Sequence, residues 1–393
     1  MYDDEVVIIG AGICGLATAL ALHKKGIKSV VMERSETLRN GSGTAVGIRP
    51  NGWRALDQLG VAEILRHTAI PFQSLFDIFF LDYQHSFIDC LLRYHNAGEA
   101  RCLRRKDVID ALYAALPPSM VKFGCQLESI KLDPDTRKPV LRFIDGTSII
   151  PKAIIGCDGS KSIVADFLNL KPTKMFPICA VRGLTNYPNG HSFGHEFTSF
   201  KKDDTLVGRV PVDNNMIYWF CTTPDIPKDE RLWKNPEAVR QYTLKLLTTH
   251  PQEIQQMAEK ADLNSVSITH LRYRAQWDLL MGTFSSGTVT VAGDAMHVMG
   301  PFLGQGASAA LEDAVVLARN MGQMGLTRVE IGKALDRFVR ERKMRVARLS
   351  LQAYLTGMML GGSSRVEKVM WFVLLSVLFP NPKSHMDYDC GDL

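Results

Sequence analysis

The chain opens on an uninterrupted apolar run, EVVII at 5–9, with no alternation of polar and apolar positions. Such a run predicts a strand buried on both faces, as in a parallel sheet. Helical spacing takes over from Ile13 to about Lys25, and a second strand, KSVVMER, ends near Glu33. Together they make a β-α-β start. PNGWRALDQLG predicts a helix that stops at Gly60, and KDVIDALYAAL predicts another over 106–116. Between them, QSLFDIFFLDYQHSFIDCLLR (73–93) carries two aromatic and β-branched runs around YQHS, which predicts a hairpin. A turn at IDGTS (144–148) and the apolar run AIIGCDG (153–159) follow. From about Phe176 to Ile268 the pattern is mostly strand-like, through VGRVPV, MIYWFCTT and VSITHLRYR, with helical spacing over 237–260. After Gly287 the α/β character resumes and the chain ends in helices.

The first strand runs directly into Gly10-Ala11-Gly12-Ile13-Cys14-Gly15 and a helix. In that order Gly10 permits the tight turn, Gly12 lets backbone approach a pyrophosphate, and Gly15 lets helix and strand pack closely. The helix N-terminus then offers free N–H groups and partial positive charge to the phosphates. Glu33 falls at the end of the second strand, where a carboxylate can accept hydrogen bonds from a ribose, with Arg34 beside it as a further candidate. A second glycine elbow lies in VAGDAMHVMGPFLGQGASAALEDA. Asp294 sits at the C-terminal end of its strand, where ligands gather in open α/β sheets. Gly304, Gln305 and Gly306 then open a helix whose positive end would face a flat ligand.

At 393 residues the chain is long enough for two or three domains. Its 46% hydrophobic and 22% charged composition argues against disorder and against a polytopic membrane protein. The net charge of +5 is small and scattered, which disfavours nucleic acid as a partner. Eight cysteines without CxxC spacing predict free thiols and a reducing, cytoplasmic setting, and the acidic N-terminus lacks the look of a signal peptide. One apolar run, VMWFVLLSVLF (369–379), would rise only about 16 Å as a helix against roughly 30 Å of bilayer hydrocarbon. Docking onto the protein's own surface is the expectation, with peripheral membrane contact as its competitor. No GxSxG, HExxH or metal-ligand spacing occurs.

GCDGSKS (156–162), the second elbow and CLRRKDVIDAL (102–112) resemble the fingerprints of FAD-dependent aromatic hydroxylases of the p-hydroxybenzoate hydroxylase-like group. GSGTAVGIRPNGWRALDQLG (41–60) is similar to the plant-type salicylate-hydroxylase-like and zeaxanthin-epoxidase-like branch. The likeness covers most of the α/β half and is looser in the sheet half. It implies a Rossmann-like FAD-binding α/β domain over 1–70, 99–175 and 280–345. Interleaved with it would be a mostly antiparallel β-sheet substrate domain over 71–98 and 176–279, with C-terminal helices over 346–393.

The resemblance further implies that NAD(P)H reduces FAD, that O2 adds at C4a, and that the terminal peroxide oxygen passes to a small aromatic or electron-rich substrate. Water exclusion protects such a hydroperoxide from decay to H2O2. Arg105, rather than its neighbours Arg104 and Lys106, matches the family's cofactor arginine, and Asp158 with Gly159 matches its Asp-Gly fingerprint. The family pattern then runs Ser-x-x-Arg, whereas Ala165 stands at the arginine position here, so Lys161 is a candidate to compensate. Pro301 belongs to the loop expected beside the flavin edge, while His297 and Met299 are weaker candidates. Arg209 and Tyr218 are the expected pocket-floor residues, with Phe220 on the same strand face as Tyr218 and Trp219 on the other. Arg182 and His191 stand further back. Competing readings are a flavin epoxidase or oxidase acting on a larger apolar isoprenoid, and a non-catalytic binding protein like the prenylated-GTPase dissociation inhibitors.

Overall fold

The computed structural model describes residues 5–38, 44–71, 98–202, 204–227, 229, 231–323, 325, 327–361, 364, 366–381 and 383–393, with the backbone of 74–80, 94–95 and 365. A six-stranded sheet forms the first layer, in the order Ser285–Ser286, Val289–Val291, Ala153–Gly156, Val6–Ile9, Ser29–Met32, Val121–Lys122. Its four pairings from Val289–Val291 onward are parallel, and Val6–Ile9, Ser29–Met32, Ala153–Gly156 and Val289–Val291 are buried at every position. Continuous apolar strands are therefore sandwiched, as their composition requires. Helix Ile13–Lys24 packs against helix Gly306–Gly322, which in turn packs against helix Pro50–Leu59. Pro50 opens that last helix, and Gly60 closes it in the left-handed region at φ 77°.

The second layer is a seven-stranded sheet in the order Ser267–Tyr273, Lys174–Asn186, Met216–Thr223, Thr205–Pro211, Glu196–Lys202, Ser74–Phe80, Tyr94–His95. Only Glu196–Lys202 with Ser74–Phe80 is parallel. The hairpin expected around YQHS falls largely on 81–93, outside the described residues. The helical stretch expected over 237–260 divides into Pro236–Leu246 and Gln252–Glu259, because Pro251 cannot continue a helix. These two helices cover one face of the sheet around Trp219, Val207 and Ile217. The other face looks towards the α/β layer.

Helix Arg328–Gly361 runs along the molecule and is followed by helix Arg365–Leu378. The docking expected for 369–379 is only half met. Trp371, Phe372 and Leu375 are half-buried, but Val369, Met370, Val373 and Val377 face outwards. Residues 383–393 then return across the body. Arg54 donates to the carbonyls of Met386 (3.3 Å) and Tyr388 (3.0 Å), Arg345 to that of His385 (2.6 Å), and Arg319 to that of Cys390.

Candidate functional site

The two glycine elbows converge. Gly10 takes φ +101°, a conformation that a side chain would strain, and a Cβ there would lie 2.7 Å from the Cys157 carbonyl oxygen. A Cβ on Gly15 would lie 1.9 Å from the Gly10 carbonyl oxygen, so this glycine permits the helix to pack on its own turn. Gly12, Ile13 and Cys14 at one helix start, and Gly306 and Ala307 at the other, line the same cavity of about 390 Å³. Two helix N-termini therefore direct partial positive charge into one space.

Glu33 is buried and works within the elbow: its carboxylate accepts hydrogen bonds from the Ala11 N–H (2.8 Å) and the Ser35 N–H (3.0 Å). Arg34 is exposed. Arg105 lines the cavity, while Arg104 pairs with Asp107 at 2.8 Å and Lys106 pairs with Asp110. Cys157 and Gly159 line the cavity too. Between them the Asp158 carboxylate accepts from the Ile163 N–H (2.8 Å) and the Val164 N–H (3.4 Å). Its other oxygen is buried without a partner among the described residues, and burial raises its pKa. Lys161 is exposed, and Ala165 is buried in the core.

Asp294, Met299, Pro301, Gly304 and Gly306 line the cavity, and Asp294 is exposed to it. The Gln305 side chain turns away and exchanges hydrogen bonds with Asn51 (2.9 and 3.3 Å). His297 also faces inward, into a network that sequence reasoning did not find. Its Nε2 lies 2.6 Å from Asp313, whose other oxygen accepts from Arg342 at 2.7 Å. Arg342 also donates to Glu312 (2.6 Å), which accepts from Arg345 (2.9 Å) and Asn51 (2.6 Å). His297, Asp313, Arg342 and Glu312 are all fully buried. Burial would raise the Asp313 carboxyl, but His297 and Arg342 beside it overcome this and hold it at about 2. The same Asp313 accepts from the Gly293 N–H at 2.8 Å, which fixes the turn that presents Asp294.

The sheet supplies the cavity's other wall. Tyr218, Phe220 and Arg182 line it, with Phe197, Leu206 and Val210. Arg182 stands opposite Phe220 in register, on the same face. Burial raises the Tyr218 phenol, and the Arg182 charge nearby only partly offsets this. The expectation for Arg209 fails on alternation. It pairs opposite Trp219, so its side chain points to the far face. There its guanidinium sits 3.9 Å from the Phe193 ring centroid and 3.9 Å from Glu253. His191 is also remote, bonded to the Asp213 carbonyl at 2.7 Å.

Two further contributors escaped the sequence. Arg49, buried before Pro50, lines the cavity, and its pKa falls to about 10 through burial, against a small opposing effect of Cys102. The signal for it was a lone arginine at a helix start within GIRPNG. Met386 packs behind the sheet wall of the cavity with Cys102, Val210 and Tyr218. Met386→Ala is expected to cost about 2–4 kcal/mol in urea unfolding, with Met386→Leu recovering most of it.

The open faces suit a long, flat, anionic ligand. A Cβ at Gly47, Gly159 or Gly306 would meet nothing within 4 Å, so bare backbone borders the cavity on three sides. Arg49 and Arg105 supply positive charge and Asp294 a hydroxyl acceptor. The donor set fits FAD. Fold and cavity together define a flavin-dependent oxidoreductase whose cavity is floored by the antiparallel sheet.

A model of the FAD binding domain family matches residues 3–353, and the chain belongs to that family. Monooxygenase 1 of Arabidopsis thaliana is 43% identical, over 100% of this chain and 100% of the relative. Monooxygenase 2 of the same plant is 33% identical, over 100% and 98%. The protein is an FAD-dependent monooxygenase. Among solved structures, Klebsiella pneumoniae HpxO complexed with FAD and uric acid superposes with TM-score 0.80 at 22% identity, covering 97% of this chain and 96% of that one. A salicylate hydroxylase substrate complex gives TM-score 0.76 at 20% identity, covering 99% and 96%. At these identities the likeness is one of fold.

Proposed function

We propose that this monooxygenase uses NAD(P)H and O2 to hydroxylate a small aromatic substrate held against the Tyr218–Phe220 face of the sheet. The observation that carries the reading is the single cavity, bounded at once by both glycine elbows and by that sheet face. Bound FAD would supply the redox chemistry, in which two electrons from NAD(P)H reduce O2 so that one oxygen atom enters the substrate and the other leaves as water.

The chain's own residues divide the remaining work. Gly12 and the N-terminus of helix Ile13–Lys24, with Arg105, would hold the pyrophosphate. Asp294 would accept a hydrogen bond from a ribityl hydroxyl. The start of helix Gly306–Gly322 would favour negative charge on a bound flavin, and Pro301 would border it. Glu33 and Asp158 act chiefly by fixing the turns around the cofactor, and Gln305 does so through Asn51. Phe197, Phe220 and Val210 keep the reacting face dry, which suits a reaction that water would short-circuit. The raised Tyr218 phenol stays protonated and can donate a hydrogen bond, while Arg182, not Arg209, offers charge to an anionic substituent.

The test is a screen of aromatic acids and phenols for stimulation of NAD(P)H oxidation, with mass spectrometry of the products. One added compound should accelerate oxidation and return one oxygen atom heavier, and Tyr218→Phe should raise its KM by roughly three- to tenfold, the worth of one hydrogen bond. Acceleration without any oxygenated product from any compound would refute the reading.

A further inference from the structure

Two aromatic side chains of strand Met216–Thr223 lie across glycines of the neighbouring strands, on opposite faces of the seven-stranded sheet. Trp219 stands opposite Gly183 in register, and Phe220 opposite Gly208. A Cβ on Gly183 would lie 2.5 Å from the indole, and one on Gly208 would overlap the Phe220 ring and lie 3.2 Å from Phe197. A glycine inside a strand weakens it, so each needs a reason. For Gly183 packing suffices. Trp219 is fully buried beneath the two helices, with its indole N–H donating to the Thr185 hydroxyl at 3.0 Å. Phe220 differs: it covers the buried Gly208, while the ring itself is half-buried and lines the cavity.

Because Gly208 has no side chain, the Phe220 ring reclines on strand Thr205–Pro211 instead of standing into the cavity. It lies 6.1 Å from the Phe197 ring at 29° and 6.3 Å from the Tyr218 ring at 39°. All three rings line the cavity, so together they pave one wall. The register row Arg182, Phe220, Gly208, Ser199 crosses four strands, about 14 Å of sheet. A single benzene ring covers one of these aromatic faces, whereas a fused two-ring plane reaches from one towards the next at ordinary stacking distances. We propose that Gly208 sets the substrate class: by flattening Phe220 it lets a fused-ring aromatic acid or phenol stack on Phe220 and Phe197, with its polar edge towards Arg182. This deepens the hydroxylation reading and rests on it for the choice of cavity. Gly208→Ala would lift the Phe220 ring into the space that the second ring needs.

The test compares salicylate with 3-hydroxy-2-naphthoate, which carries the same acid and phenol edge and one more fused ring. Binding to the full-length, FAD-loaded protein is read from flavin difference spectra, without NAD(P)H. The wild type should bind the naphthoate about tenfold more tightly. Gly208→Ala should erase that preference, weakening the naphthoate about tenfold and salicylate by no more than about twofold. Adding Phe220→Leu, which removes the displaced ring, should recover most of the loss, an exchange that general damage to the strand would not produce. Phe220→Leu alone should cost the naphthoate about threefold, which keeps the test decisive if Gly208→Ala does not fold. Equal wild-type affinities, binding of neither acid, equal weakening of both by Gly208→Ala, or no recovery in the double variant would overturn the proposal. Binding is read without turnover, so its failure and the failure of hydroxylation are told apart.

Discussion

Arg342→Met is expected to lower the unfolding free energy by about 3–5 kcal/mol, measured by urea denaturation, and to loosen FAD with it. Arg342 is fully buried and bonds both Asp313 and Glu312, which are equally buried. Burial works against its charge, but the two carboxylates more than compensate and raise its pKa. Removing it leaves those two carboxylates with His297, Arg345, Asn51 and the Gly293 N–H, and without the one cation that bridged them. A methionine of similar volume keeps the space filled, so the loss reports the charge and not a cavity. Asp313 also sets the acid behaviour of the network. Its folded pKa of about 2 lies below the ordinary carboxylate value near 4. Its contribution is therefore complete above about pH 4 and disappears as pH falls through 2. Urea midpoints measured down that window should fall more steeply in the wild type than in Asp313→Asn, which has already lost the titrating group. Parallel curves would show that Asp313 does not carry the effect.

Asp294→Ala is expected to weaken FAD binding roughly tenfold to a hundredfold, the worth of a charge-assisted hydrogen bond to a ribityl hydroxyl. Fluorescence titration of deflavinated protein would read it directly. The side chain is exposed to the cavity at the end of a buried strand, so its loss should barely move the melting temperature of the flavin-free protein. Unchanged FAD affinity would remove Asp294 from the cofactor site and leave the second elbow as a turn alone.

What the sequence disclosed follows from the range of the interactions involved. Gly10, Gly12 and Gly15 were legible because their constraint is local: turn, approach and helix packing all act within six residues. The period-two alternation of MIYWF correctly separated Tyr218 and Phe220 from Trp219. The same alternation in VGRVP left Arg209 on an undetermined face, since nothing local says which side meets the nucleotide layer. Register decided it, by placing Arg209 opposite Trp219. The network of Asn51, Gln305, Glu312, Asp313 and Arg342 was invisible because its bonds join residues as far as 261 apart. A buried arginine in a helix looks like any other basic position until its partners arrive in space.

The return of residues 383–393 across the body carries a consequence for how the two walls of the cavity respond to one another. Met386 backs the wall that bears Tyr218, and arginines from three separate helices hold its neighbours by their carbonyls. One helix, Arg328–Gly361, supplies both Arg342 to Asp313 beside the second elbow and Arg345 to the His385 carbonyl next to Met386. The two walls of the cavity thus share one mechanical strut, and a shift of that helix would reach both.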